Sequence, residues 1–123
     1  MKLRLLRSGD VLADDDILVR GGALEPAVLR DDALRYHRVY GSYGISVLAS
    51  RHRSVEQMAR HSTLVRFGRL VLVEVTEVRK ARLALEPTGR NPDHYTISFE
   101  ALGGVARLVR CRHRIVTNPY FDR

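Results

Sequence analysis

The run Leu70-Val-Leu-Val-Glu-Val75 constrains the fold more than any other stretch of the chain. A continuous apolar block of this length predicts a strand inside a sheet, covered on both faces. The segment His94-Tyr-Thr-Ile-Ser-Phe99 predicts a second strand by strict alternation. Tyr95, Ile97 and Phe99 share one face, and His94, Thr96 and Ser98 share the other. Shorter strands are expected at Leu3 to Leu6, Ile17 to Arg20, Ile45 to Ala49, Arg82 to Glu86 and Arg114 to Thr117.

Helices interrupt them. Pro26 suits a first helical position, and Leu29, Ala33, Tyr36 and Tyr40 recur at spacings of three and four until Gly41. Ser54 and Gln57 have capping-box spacing ahead of Val55, Met58 and Ala59. Leu102, Val105, Ala106 and Val109 predict a third helix, weakened by Gly103 and Gly104. A sheet that takes five or six of these segments, with three helices in mixed order, predicts an α+β fold: a curved, mostly antiparallel sheet flanked by two or three helices. At 123 residues, with no repeat and no linker, the chain is expected to form a single domain over 1–123.

Composition excludes several classes. A hydrophobic fraction of 45% is too high for a mainly disordered chain. No apolar run approaches the ~20 residues of a membrane span. The opening MKLRLLRSGD lacks an apolar stretch of signal-peptide type. Cys111 is the only cysteine, so no intrachain disulfide or multi-cysteine zinc site forms, and a cytoplasmic, reducing location is the expectation. Cys111 lies among Arg110, Arg112 and His113, whose charge favours a thiolate; its other reading is a small packed residue. Oligomeric state is left open.

The formal net charge is +7, carried almost wholly by arginine, since Lys2 and Lys80 are the only lysines. GC-rich coding accounts for such a bias. So does a surface that meets phosphate, because guanidinium groups bind it bidentately. The stretch from Arg51 to Arg69 holds one acid, Glu56, and Arg107 to Arg114 holds none. RNA or a nucleotide is therefore the expected partner class.

Three segments carry candidate chemistry. Arg20 ends a buried strand before Gly21 and Gly22, where a ligand can approach the backbone, or where an arginine can simply sit at a surface turn. Ser46 lies within Tyr43-Gly-Ile-Ser-Val47, an otherwise apolar strand; its hydroxyl binds a ligand or satisfies a nearby carbonyl. The third segment, Pro87-Thr-Gly-Arg-Asn-Pro-Asp-His-Tyr-Thr, places Arg90 and Asn91 in a loop leading to His94 and Thr96. A histidine able to exchange a proton near neutrality, beside hydroxyls and arginine, is what a metal-free ribonuclease needs. The bland alternative is the wet face of an edge strand. His37, His52, His61 and His113 are scattered, and no metal-ligand spacing or nucleotide-binding glycine motif is present. Asp14-Asp-Asp16 reads as a solvated turn or a site for a hard cation.

The order of these segments resembles the ADP-ribosyltransferase outline over about half the chain. In that family an arginine ends the first strand, a serine-bearing strand follows a helix, and a β-rich half completes the cleft that holds NAD. Leu18-Val-Arg20-Gly-Gly22 is similar to the arginine strand and Tyr43-Gly-Ile-Ser-Val47 to the serine strand. The chain departs from the pattern at the catalytic glutamate: no E-x-E or Q-x-E precedes the last strands, and His94 stands about where the glutamate is expected. The R-G-G, G-I-S-V and N-P-x-H pattern is also similar to small uncharacterised bacterial proteins.

The leading expectation is a toxin-like, metal-free endoribonuclease, with His94 as acid or base, Arg20 and Arg90 as phosphate clamps, and Ser46, Tyr43, Asn91 and Thr96 in binding and positioning. It needs no cofactor, and an acidic antitoxin-like protein is its expected protein partner. The rivals are an ADP-ribosyltransferase-like toxin using NAD in the same cleft, and a basic module that binds nucleic acid or a partner without catalysis. Both enzyme readings require Arg20, Ser46 and His94 to meet in one cleft. The alternation of the histidine strand predicts that Tyr95, Ile97 and Phe99 are buried and that His94 and Thr96 face solvent.

Overall fold

The structure, a computed structural model, describes residues 9–122. The strand expected around Leu3, Leu5 and Leu6 lies outside them. The elements run β1 (Ile17–Gly21), α1 (Pro26–Tyr40), β2 (Tyr43–Leu48), α2 (Val55–Ala59), β3 (Arg69–Glu74), α3 (Val75–Lys80), β4 (Ala84–Pro87), β5 (His94–Phe99), α4 (Gly104–Arg110) and β6 (Arg114–Thr117). The strands form one antiparallel sheet in the order β4-β5-β2-β1-β3-β6. This is an α+β fold. Among the described residues no helix is long and apolar enough to cross a membrane.

Local chemistry explains most of the boundaries. Pro26 opens α1, Leu29 and Ala33 are its fully buried positions, and the Gly41 N–H closes it on the His37 carbonyl at 2.9 Å. In α2 the capping box is complete: the Gln57 N–H donates to Ser54 Oγ at 3.1 Å, and the Ser54 N–H donates to Gln57 Oε1 at 2.8 Å. β3 lies between β1 and β6, with Leu70, Val71, Leu72 and Val73 all buried.

Two elements depart from the sequence reading. Val75 opens a helix instead of ending a strand. The carbonyls of Asp16 and Asp14 accept the Val75 and Thr76 N–H groups at 2.9 Å each, and Val75 and Val78 turn one face of α3 into the core. The acidic turn thus seats this helix, and the Asp14 carboxylate pairs with Arg79 from it. β4 begins at Ala84 because Arg82 takes a left-handed φ of 58°, which breaks the extended chain.

Two apolar clusters hold the sheet. One gathers Leu18, Val47, Val73, Ile97 and Phe99 with residues of α1, α3 and α4. The other joins Val19, Leu48, Leu70 and Leu72 to Met58 and Ala59 of α2 and to Leu64. Each fully buried aliphatic or aromatic side chain contributes about 1.5–3 kcal/mol relative to exposure. Tyr95, Ile97 and Phe99 are buried, as the alternation predicts. Thr96 is the correction: it is 0% exposed. The Tyr36 ring of α1 closes over this face at Thr96, and Gly44 on the neighbouring strand leaves room for it, since a Cβ there would lie 2.7 Å from both.

Cys111 packs into the first cluster, with its thiol directed at the Glu77 and Arg107 carbonyls at 3.5 and 3.4 Å. Burial, and secondarily Glu77, push its pKa above the ordinary thiol value, so the group stays protonated at neutral pH. The arginine neighbours in sequence do not activate it. We expect a thiol reagent to label the native protein slowly near pH 7 and the denatured protein at once; rapid native labelling would contradict this packing.

Candidate functional site

The sheet is nearly divided along one seam. β1 pairs with β3 continuously from Ile17↔Glu74 to Gly21↔Leu70, and β2 pairs with β5 along its whole length. β1 and β2 share the single register pair Val19↔Leu48. Beyond it the strands part, and Arg20 reaches across the gap to donate from Nη1 to the Ser46 carbonyl at 3.0 Å.

A cleft of about 710 Å³ opens at this seam. Its wall includes Arg20, Gly21 and Gly22 from β1 and the turn after it, Ser46 to Leu48 from β2, and His94 from β5. Leu64, Arg66 and Phe67, from the segment after α2, and Asp32 and Arg35 from α1 complete it. Arg20, Ser46 and His94, singled out from sequence, therefore line one cleft. Ser46 is exposed although β2 is an interior strand, because the cleft uncovers it. The register pairs Ser46 with Thr96 and Leu48 with His94, which puts the serine and the histidine on the same face of the sheet.

Arg20 is not a free cation. Its side chain is only 17% exposed and its guanidinium pairs with the Asp32 carboxylate, which also lies 3.4 Å from Arg35. The lining therefore combines three arginines with the carboxylates of Asp32 and Glu25 around an apolar floor. An ammonium group could not span Asp32 and the Ser46 carbonyl as this planar fork does. Gly21 shapes the opposite rim: a Cβ there would lie 2.1 Å from the Phe67 ring, so only glycine lets that aromatic lie across the end of β1.

His94 is held from behind. Its Nδ1 lies 3.0 Å from the Thr88 carbonyl and 2.9 Å from Thr88 Oγ1. A carbonyl oxygen only accepts, so the Thr88 carbonyl finds a hydrogen bond from His94 in the tautomer that carries the proton on Nδ1 and leaves Nε2 free of one. Behind it, Thr88 Oγ1 and Thr96 Oγ1 share a hydrogen bond of 2.7 Å, and Tyr36 donates to Thr96 Oγ1 at 3.3 Å.

The other residues proposed from sequence stand elsewhere. Tyr43 stacks between His37 and Phe99, at centroid separations of 4.4 and 6.3 Å, and belongs to the packing. Arg90 is exposed on the β4–β5 loop, outside the cleft lining. Asn91 is a tether: its side chain accepts the Asp93 N–H at 2.9 Å and donates to His61 Nε2 at 3.0 Å. Thr96, being buried, touches no ligand. Sequence reasoning missed Asp32, Arg35, Arg66, Phe67 and Thr88. Only the Asp32–Arg35 spacing of i,i+3 on a helix carried any signal for them.

Among the described residues no group of three or more His, Cys, Asp or Glu is placed to hold a metal ion. Comparison with family models, with curated proteins and with solved structures found no match to this chain. The site's chemistry is therefore read from its own residues.

Proposed function

We propose that this protein binds a nucleotide of NAD type in the β1–β2 cleft and acts as an ADP-ribosyltransferase-like enzyme in which His94 serves where the family has a glutamate. The observation that carries this reading is the seam: the arginine strand and the serine strand part to form one wall each, with Arg20, Ser46 and His94 on a shared cleft. A volume of about 710 Å³ falls in the range of small-molecule and cofactor sites. Arg35 and Arg66 suit a diphosphate, while the Arg20–Asp32 pair offers a donor and an acceptor to ribose hydroxyls. Phe67 supplies an aromatic edge for a base or the nicotinamide ring.

The chemistry assigned to His94 is proton acceptance. As the ribose C1′–N bond breaks and nicotinamide leaves, an attacking hydroxyl or water forms the C1′–O bond and gives its proton to Nε2. The RNA-cleaving reading has less support here. Of its two phosphate clamps, Arg20 is neutralised by Asp32 and Arg90 lies outside the cleft. The C-terminal arginines Arg107, Arg110, Arg112 and Arg114 line other hollows.

Titration calorimetry with ADP-ribose and a nicotinamide-release assay with NAD test the reading. Binding and slow NAD consumption are expected. Arg20→Lys should lower ADP-ribose affinity by about tenfold or more, since a point charge cannot bridge Asp32 and the Ser46 carbonyl. Cleavage of total RNA in EDTA, or no affinity for ADP-ribose, would turn the assignment away from NAD.

A further inference from the structure

The polar groups behind His94 are out of place for mere packing. Thr88 and Thr96 are 1% and 0% exposed. Valine has the same branched shape and would fill either position with no hydroxyl to satisfy. Two hydroxyls withdrawn from water cost free energy unless each finds a partner, and here the partners form one line. It runs from His94 Nδ1 to Thr88 Oγ1 (2.9 Å), to Thr96 Oγ1 (2.7 Å), to the Tyr36 hydroxyl (3.3 Å). No buried side-chain nitrogen or oxygen among the described residues is without a hydrogen-bond partner. It joins helix α1 to the cleft through three strands' worth of sequence separation, 60 residues between Tyr36 and Thr96.

We propose that Thr88 and Thr96 are positioning residues for His94: the Thr88 carbonyl holds the imidazole as the Nδ1–H tautomer with Nε2 as the base, and the buried hydroxyls behind it fix the ring in place. Two interactions act on one atom. The Thr88 carbonyl selects the proton's position on Nδ1, and Thr88 Oγ1 fixes the ring's rotation about its Cβ–Cγ bond. Thr96 stops the Thr88 hydroxyl from turning away, and Tyr36 does the same for Thr96. Burial raises the Tyr36 pKa against the opposing effect of its bond to Thr96, so the phenol remains a donor at neutral pH. A histidine whose ring is fixed from the buried side loses no rotational freedom when it meets a reacting hydroxyl. The role of Nε2 rests on the NAD reading of the cleft, whereas the tautomer does not.

Long-range ¹⁵N NMR of the histidine rings in the intact protein at about pH 8, where an ordinary imidazole is neutral, tests the assignment directly. The wild type is expected to show a pyrrole-type Nδ1 and a pyridine-type Nε2 for His94. Thr96→Val and Thr88→Val should move both signals toward the averaged pattern of a mobile ring, and Thr88→Ser should restore the wild-type pattern. In the NAD assay, Thr96→Val should lower kcat about tenfold with KM nearly unchanged. A wild-type ring protonated on Nε2 would overturn the proposal, as would valine variants whose ring signals match the wild type. If Thr96→Val does not fold, the Thr88→Val and Thr88→Ser pair decides on its own. A ring that responds as expected in a protein that does not consume NAD sinks the cleft's assigned reaction and leaves the positioning role standing.

Discussion

His94→Ala is expected to lower NAD turnover by roughly 10²–10⁴-fold, the usual worth of a positioned proton acceptor. The affinity for ADP-ribose should change by less than about threefold, because the binding groups assigned to the diphosphate and ribose, Arg35, Arg66 and the Arg20–Asp32 pair, are untouched. Stability should move little. His94 is half-buried, and removing its ring leaves Thr88 Oγ1 still bonded to Thr96 at 2.7 Å. Surface or rim substitutions of this kind stay within about 0.5 kcal/mol, to which loss of the Nδ1 bond adds roughly 1 kcal/mol. Nicotinamide release and thermal unfolding, measured on the same preparation, separate the two effects. Full turnover by the alanine variant would remove His94 from the chemistry, whatever the cleft binds.

The second large effect lies on the other face of the same strand. Phe99→Ala is expected to cost about 3–5 kcal/mol of stability, lowering Tm by roughly 10–20 °C for a chain of this size. The Phe99 ring stacks on Tyr43 with an interplanar angle of 5°, and it fills the space beneath the start of α4. Gly104 is where it is for this reason: a Cβ there would meet the Phe99 ring at 2.4 Å. Deleting the ring therefore leaves a cavity between β5 and α4 that neither neighbour can close without moving. Denaturant melts of the variant should show the loss, with turnover per folded molecule retained well below the new midpoint. A cost under about 1 kcal/mol would mean that α4 settles into the space.

The contrast between these two variants follows from one alternation, His94-Tyr-Thr-Ile-Ser-Phe99, and that alternation was legible without coordinates. So were α1, whose spaced apolar positions and Pro26 define it, and the buried run of β3. α3 was not legible. Val75 to Lys80 carries β-branched residues directly after a strand, and what makes it helical is a pair of carbonyls from Asp14 and Asp16, far away in sequence. Thr96 was misread because alternation states that two faces differ without stating that the polar one is wet. In β5 the Thr96 hydroxyl of that face is satisfied by Thr88 and Tyr36.

For the cleft the division is similar. Arg20 and Ser46 stand out in sequence as polar residues beside glycines within apolar strands, and His94 as a histidine at a strand start. Nothing local says that Asp32 neutralises Arg20 or that Thr88 faces the imidazole, since these pairs form only when α1 and β4 fold back on the sheet. The sequence by itself determined the type of most elements and which face of each is apolar, because side-chain periodicity acts within a few residues. The strand order, the parting of β1 from β2 and the burial of Thr96 were decided by tertiary structure alone, because each depends on contacts between segments that the chain brings together only on folding.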